Sequence, residues 1–575
     1  MDSEKRVFLA FILMFAVFLL WRAFVWQPPP PAPHKQTAAT LAAHAAATTP
    51  ATAKSTSTPA TAPKPVPAVS LPVIQGEKAE DVTVENNFYR ITFSTRGAVV
   101  KSWILKKYED AQNKPLDVVN TGACEQLGYP LSLELANSSL AGQLNSVIYS
   151  VSPAVGTFSA PRELTFTYSN GKVRVTKEFS FASDYQVKAK VSVFDGRKDL
   201  PVSVKWPGGV GDQSLSTSMR HKYSKAFYDE GGGIKTVAEK KVDEARAVPG
   251  PLSFAGLEDN FFAGAFLPDS PQDVFRFSRD TWTPEGWKGK EPPQALTAAL
   301  GTPETSPLSF RIFIAPKVLD VLGAENPALE DLVDFGWFSV IAKPLFLGMR
   351  WTYDNVVHNW GWVIVLLTVL INMAFFPLKM KSIRSAQAMQ KVAPVVKEIQ
   401  ERYKQYKFND PRKQRMNQEV MKVYQEHGVN PLGGCLPMVV QLPIIYAFYE
   451  VLETSIAMRH SPWIWWVKDL SVPDPLYILP TLAIILSFLM QKMTPMPSAD
   501  PAQQRMMMIA PLAVGFIFFY EAAGLTLYYF VYCLVAVLQQ LLINRISPPA
   551  APATAAAPGR AQAPGQRKQQ VTLKT

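Results

Sequence analysis

The chain has 575 residues, 48% of them hydrophobic, and a formal net charge of +11. That length accommodates a membrane region plus an independent soluble domain. Its three cysteines, Cys124, Cys435 and Cys533, are far apart, which argues against a disulfide framework or a CxxC metal site. The basic residues gather beside apolar segments, so the positive-inside effect explains them without invoking nucleic acid.

Residues 1–26 read as a membrane anchor: Lys5 and Arg6 precede the uncharged run Val7–Trp21, and Arg22 can snorkel at its far end. A cleaved signal peptide is the rival reading, but WRAFVWQPPPP follows the run where a small-x-small cleavage site would be needed. The anchor reading puts the N-terminus in the cytoplasm. Residues 27–70, rich in Pro, Ala, Thr and Ser, bury too little apolar area to offset their ordering entropy and are expected to be a disordered tether.

Residues 71–318 alternate as strands do. Tyr89, Ile91 and Phe93 mark one strand, and Leu164, Phe166 and Tyr168 another. An Asn170-Gly171 turn follows, then Val173 and Val175, then Tyr185, Val187, Ala189, Val191 and Val193, and finally Leu308, Phe310, Ile312 and Ile314. A large β-sandwich is expected. Asp229, Glu230, Gly231, Gly232, Gly233 and Lys235 superficially suggest a phosphate loop. Ile234 stands where that motif needs glycine, so a surface loop is the expectation, as it is for the solitary His221. Residues 326–351 are predicted to form an interfacial amphipathic helix bent at Pro344, with Leu329, Leu332, Val333, Phe335 and Trp337 on one face and Asp331 and Asp334 on the other.

The central span is 360–378, WGWVIVLLTVLINMAFFPL, uncharged from Gly361 to Phe376 and long enough to cross about 30 Å of hydrocarbon. Thr368 and Asn372 lie one turn apart on a face that ends at Lys379. Asn372 either bonds a neighbouring helix or lines a wet cavity inside the membrane. Residues 379–429 follow, with twelve Lys or Arg against five Asp or Glu between Lys379 and His427, which places them in the cytoplasm. Asn409-Asp410-Pro411 divides them into a helical hairpin, with Met389, Val392, Val396 and Ile399 facing Met416, Val420 and Val423. Its positive charge suits ribosomal RNA or acidic partner surfaces.

Four further spans are predicted at 432–452, 476–492, 506–521 and 524–544, two of them short enough to thin the bilayer locally. Trp463, Trp465 and Trp466 form an outer aromatic belt; Lys492, Arg505 and the basic tail 546–575 are cytoplasmic. The spans carry no HExxH and no paired carboxylates or Ser/Lys pair at membrane depth, so no enzyme is expected. They carry instead the uncharged polar residues Thr368, Asn372, Gln441, Ser487, Gln491 and Gln539, mostly in the cytoplasmic half. Such a polar concavity would lower the cost of moving a charged residue through mid-membrane, about 2.5–3.5 kcal/mol on insertion scales.

NPLGGCLPMVVQLPI at 430–444, the basic hairpin before it, DPLYILP at 474–480 and AGLTLYYFVYCLVAVLQQ at 523–540 resemble the YidC-type membrane-protein insertases of Gram-negative bacteria, over essentially the whole chain. The resemblance implies a polytopic α-helical inner-membrane protein, an N-terminal anchor plus a five-helix core, with a large periplasmic all-β sandwich domain. Both termini would be cytoplasmic. It implies an insertase and chaperone for nascent inner-membrane proteins, working in the lipid bilayer alone or with the Sec translocon and its accessory subunits. A translating ribosome would meet the hairpin and C-terminal tail, and no cofactor, nucleotide or metal would be used. In the family a groove Arg stands on the first core span; aligned on FFPLK, its place is taken here by Asn372. Thr368 and Tyr529 match the family's substrate-contacting Thr and its partner on the last span. The competing readings are a solute transporter, for which no inverted repeat is visible, and a membrane-anchored carbohydrate-active enzyme, which would need paired carboxylates in the β-domain.

Overall fold

The computed structural model describes residues 70–546 apart from 215–223, 285, 288–291, 304–305, 407–409, 430–435, 495–507, 510–511 and 514. The anchor, the tether, His221, the tail beyond 546 and residues 506–507, 510–511 and 514 of the predicted span 506–521 therefore lie outside the described residues. The rest divides into two compact units that meet in sequence at Gly336 and Trp337.

The first unit is the expected β-sandwich. Alternation sets it up: Tyr89, Ile91 and Phe93 of strand Tyr89–Ser94 are fully buried, while Arg90 between them is exposed. That strand belongs to a five-stranded sheet whose middle is Asp81–Glu85, Tyr89–Ser94 and Val99–Glu109. A ten-stranded antiparallel sheet runs through Arg162–Asn170, Arg174–Phe181, Gln186–Phe194, Leu308–Pro316 and Phe262–Pro268 to the hairpin of Lys225–Asp229 and Ile234–Ala238. The two sheets share an aromatic centre: Phe93 lies 5.7, 5.0 and 5.9 Å, centroid to centroid, from Phe166, Phe179 and Phe181. A second five-stranded sheet adds Trp206, whose ring is 5.9 Å from that of Trp103. Burial of these rings helps order the strands, by about 1.5–3 kcal/mol for each large apolar side chain.

The Asn170-Gly171 turn forms as the sequence indicates. Gly171 takes φ +87°, and Asn170 Oδ1 accepts from the amides of Lys172 and Val173. The following strand begins at Arg174 rather than Val173. Its inward positions are Val175, Lys177, Phe179 and Phe181, so a lysine occupies a core site. Lys177 Nζ donates to the carbonyl oxygens of Gly97, Ala98 and Leu131 at 2.8, 3.0 and 2.8 Å. It thereby ties the ten-stranded sheet to the Gly97-Ala98 turn, where both residues have positive φ.

Two short helices interrupt the strands, α1 (Thr121–Leu127) and α2 (Ser138–Ser146), capped by Asn120 and Asn137 whose side chains accept from Ala123 N and Leu140 N. Cys124 on α1 is a free, buried thiol, pushed up to about 12 by burial. The glycine loop at 231–233 is a hairpin turn. Asp229 Oδ1 takes the amides of Gly231 and Gly233, and Lys235 pairs with Glu230, so the groups a phosphate would need are engaged. Residues 71–318 expressed alone should be soluble and give a β-type circular-dichroism spectrum, because their core is self-contained. Aggregation or a helical spectrum would count against a separable domain.

The stretch 326–351 departs from the single helix that its pattern predicts. α3 (Leu319–Glu325) is followed by a 3-10 turn, Pro327–Leu332, and only then by α4 (Ser339–Asn355). Gly336 at φ +65° and Asp334 Oδ1, which accepts its amide at 2.9 Å, stop the first part. Leu329, Leu332, Val333 and Phe335 are buried, whereas Trp337 and Val340 are 64% and 85% exposed. Pro344 is accommodated inside α4.

The second unit is helical. Asn359 caps α5 (Trp360–Arg402) by accepting from Trp362 N at 3.1 Å. Its 43 residues join the predicted span to the first half of the hairpin. At 1.5 Å per residue α5 is roughly 64 Å long, about twice the hydrocarbon thickness. Asp410 and Pro411 start α6 (Pro411–Glu426), the second arm. Met389, Val392, Val396 and Ile399 are buried along the seam, and Met416, Val420 and Val423 are half-buried. Tyr403 Oη donates to Glu419 Oε1 at 2.6 Å across it. Further helices are α7 (Leu436–Thr454), α8 (Ile478–Met493) and α9 (Ala523–Ile546), and the described residues 508–509, 512–513 and 515–517 of the predicted span 506–521 are helical too. Asp474 is the reason for the DPLYILP pattern: it is buried and accepts from the amides of Leu476 and Leu479 at the start of α8. Protease added to inverted membrane vesicles should cut near 409–415, between the arms; protection there with cutting from the outer face would reverse the topology.

Candidate functional site

The helical unit inverts the ordinary rule of a soluble protein. Its outward faces are apolar: Leu370, Met373, Leu442, Ile485, Leu538 and Leu541 are exposed. Its interior holds Thr368, Ser487, Thr526, Tyr528, Gln539 and Gln540, all buried. Apolar exposure on this scale calls for lipid around the helices. By length and apolar character, α5 and α9 are each able to span a bilayer, and α8 is a shorter apolar helix.

α9 collects the polar groups. Small residues at its start allow close approach: Ala523 N and Gly524 N donate to Val472 O and Leu470 O at 2.7 and 2.9 Å. From there α9 packs on α5 and α8. Facing α5, Gln539 Nε2 donates to the backbone oxygen of Asn372 at 3.2 Å, and Gln539 Oε1 accepts from Lys379 Nζ at 3.1 Å. Facing α8, the Tyr529 hydroxyl lies beside Ser487, and it lies beside Cys533 one turn along α9 itself. Tyr529 also stacks on Phe518 with centroids 4.4 Å apart. Facing α7, Tyr528 Oη accepts from Gln441 Nε2 at 2.7 Å and stacks on Phe448 at 4.1 Å.

The residues singled out in the sequence thus fall into three small sets around one helix. Thr368, Asn372 and Gln539 form the first, Ser487 and Tyr529 the second, and Gln441 the third. Gln491 is half-buried one turn beyond Ser487, and no described hydrogen bond links it to the others. Thr368 and Ser487 donate to carbonyls of their own helices, Ile364 O at 2.6 Å and Ile484 O at 2.9 Å. Asn372 does the same: its Nδ2 donates to Thr368 O at 2.8 Å, and the side chain is half-buried. The described bond between helices at this level is made by Gln539 to the Asn372 backbone, so Asn372 keeps its amide free of α9.

Two contacts were not foreseen by sequence reasoning. Tyr528 adjoins Tyr529 in a YY pair, and sequence offers no means of assigning a separate partner to each. Lys379 marks the end of the Thr368 and Asn372 face in the sequence, which does not tell that its ammonium turns back along α5 to Gln539. Gly361, at the opposite end of α5, is required by packing, since a Cβ there would collide with the Trp463 ring. Among the described residues no group of His, Cys, Asp and Glu is arranged to hold a metal ion.

Comparison with known proteins covers both units. The family described as 60Kd inner membrane protein matches residues 351–550, and that described as YidC periplasmic domain matches 81–347. A relative from Syntrophus aciditrophicus, named membrane protein insertase YidC, is 31% identical over 558 residues, covering 94% of this chain and 99% of its own. Relatives of the same name from Geobacter metallireducens and Ralstonia nicotianae are 32% and 33% identical, covering 94% and 91% of this chain and 98% and 94% of their own. Among solved structures, an active YidC insertase with its first transmembrane domain resolved is 19% identical at TM-score 0.33, covering 82% of this chain and 94% of its own. A galactose mutarotase-like protein from Lactobacillus casei is 13% identical at TM-score 0.30, covering 41% of this chain and 100% of its own. At scores of this size neither structural likeness bears on function.

Proposed function

The chain belongs to the YidC family of membrane-protein insertases, inner-membrane proteins with a periplasmic domain, and from that premise we propose that it inserts client helices along the polar interior face shared by α5, α8 and α9. The observation that carries the proposal is the inverted polarity of the helical unit. Polar side chains on several helices converge on α9 while their outer faces suit lipid. A segment sliding along such a face exchanges water for hydroxyls and carboxamides rather than for acyl chains, which lowers the cost of its own polar groups.

In this reading the clients are nascent inner-membrane proteins. The protein also assists their folding as a chaperone, acting alone or beside the Sec translocon and its accessory subunits. The cytoplasmic arms α5 and α6 and the basic tail receive the segment from a translating ribosome by charge attraction. Both termini are cytoplasmic, and the polar face opens to cytoplasm and lipid. A solute transporter would use the same residue types, but its two halves would repeat one another, and the five core spans show no duplicated pattern.

Reconstitution separates the two. Purified protein in liposomes should insert a short hydrophobic client without nucleotide, and empty liposomes should insert much less. Equal insertion in both, together with uptake of a labelled solute by the proteoliposomes alone, would replace this function with transport.

A further inference from the structure

Lys379 is an unusual cation for its place. It lies seven residues beyond Asn372 and eleven beyond Thr368, which puts it on their face of α5, within about 20° of each. Its stem is half-buried, and its ammonium donates to the neutral oxygen of Gln539 at 3.1 Å. Among the described residues no carboxylate pairs with it. The same Gln539 amide is held on its other side by the backbone oxygen of Asn372 at 3.2 Å. A carboxamide satisfies one of the three ammonium hydrogens and none of its charge.

A lysine at a membrane boundary ordinarily extends its head into water. This one points inward, and what compensates it is a side chain able to rotate away. The geometry points to a resting state, and we propose that Lys379 takes the carboxylate of an acidic residue in a passing client segment, Gln539 being the placeholder ligand that the carboxylate displaces. The exchange replaces an ammonium–carboxamide hydrogen bond by an ion pair, which adds charge–charge attraction to the hydrogen bond. Lys379 is thus a specificity-determining residue that favours segments with Asp or Glu in the translocated part. Its position at the cytoplasmic end of the polar face lets it act early, as the segment enters, and hand the acid on toward Asn372. This inference rests on the insertase reading.

The test uses full-length protein in liposomes and two short clients that differ only in the translocated tail, one carrying two Asp and the other two Asn. Wild type, Lys379→Gln, Lys379→Arg and Gln539→Leu are compared. For Lys379→Gln the acidic client should lose about tenfold relative to the neutral one, equivalent to roughly 1.4 kcal/mol. Lys379→Arg should restore the acidic client, and Gln539→Leu, which removes the placeholder and its bond to the Asn372 backbone together, should keep the ratio of acidic to neutral client even where total insertion falls. Equal loss for both clients would overturn the inference and leave Lys379 as a topological anchor. A loss that follows the anionic lipid content of the vesicles and not the client tail would overturn it in favour of a lipid phosphate. If wild type inserts neither client, the insertase reading itself fails, a result separate from any of these.

Discussion

Asn372→Leu should lower insertion of a short acidic-tailed client about fivefold, the effect of roughly 1 kcal/mol on the moving segment, while leaving the detergent melting temperature nearly unchanged. The reasoning starts from the hydrogen bonds. The Asn372 side chain donates to Thr368 O of its own helix, and the link to α9 runs through the Asn372 backbone oxygen, which leucine keeps. Leucine therefore removes a polar group from a half-buried face without breaking the bond between α5 and α9. A polar group of the client passing position 372 loses a partner, and the face becomes a poorer path for such groups. Asn372→Arg should be tolerated, or should improve insertion of acidic tails, because attraction at an effective dielectric of 20 is about 4 kcal/mol at 4 Å. If Asn372 served only to pack helices, both variants would lose thermal stability and activity in proportion. Unchanged insertion in the leucine variant would end its role on the path.

The largest effect on stability is expected at Lys177. Lys177→Met should cost the periplasmic domain roughly 2–4 kcal/mol near pH 6, where the ammonium has a hydrogen for each of three carbonyls that then lose their buried donor at about 1–3 kcal/mol each, offset in part by removal of a buried cation. The same residue gives a pH signature. Burial pushes the Lys177 ammonium down to about 7 from the usual 10.5. Above pH 7 the unfolded chain keeps this proton and the folded domain releases it, so the unfolded state binds more protons and stability rises with pH. The window to observe is pH 7 to 8.5. Above it the Cys124 thiol, raised to about 12 in the fold, opposes the trend, since the unfolded thiol ionises from about 9 upward. Urea midpoints that climb across this window in wild type and stay flat in Lys177→Met are the expected result. A flat wild-type profile, or a methionine variant as stable as wild type, would show that the three bonds are not worth their desolvation.

Lys177 also shows where sequence reading stops. The alternation of Tyr89, Ile91 and Phe93, or of Val187, Ala189, Val191 and Val193, was legible because each strand buries one apolar face. At Lys177 the same period puts a charge inside, and only the carbonyls of Gly97, Ala98 and Leu131, 46 to 80 residues away, explain it. The stretch 326–351 has helical spacing of apolar residues throughout, yet the left-handed Gly336 ends one element before α4 begins. Spacing identifies which residues are buried but not that two elements do the burying. In the membrane region Thr368, Asn372 and Gln539 stood out because polar residues at that depth need a reason, and Tyr529 stood out through the family resemblance alone. Which of them meet depended on how α9 packs, so the pairing of Gln441 with Tyr528, and of Lys379 with Gln539, was not readable from composition or period.

The central claim is that the client moves along the inner face of α5 and not along its lipid face. Positions 372 and 370 are two residues apart and point to nearly opposite sides of the helix; Asn372 is half-buried and Leu370 is 53% exposed. A photo-crosslinking amino acid is placed at either position in full-length protein, and a ribosome-stalled short membrane protein is offered at several nascent-chain lengths. The account predicts crosslinks to the client from position 372 that appear and vanish as the chain lengthens, and chiefly lipid adducts from position 370. Client crosslinks of equal yield at both positions, or stronger ones at 370, would contradict it.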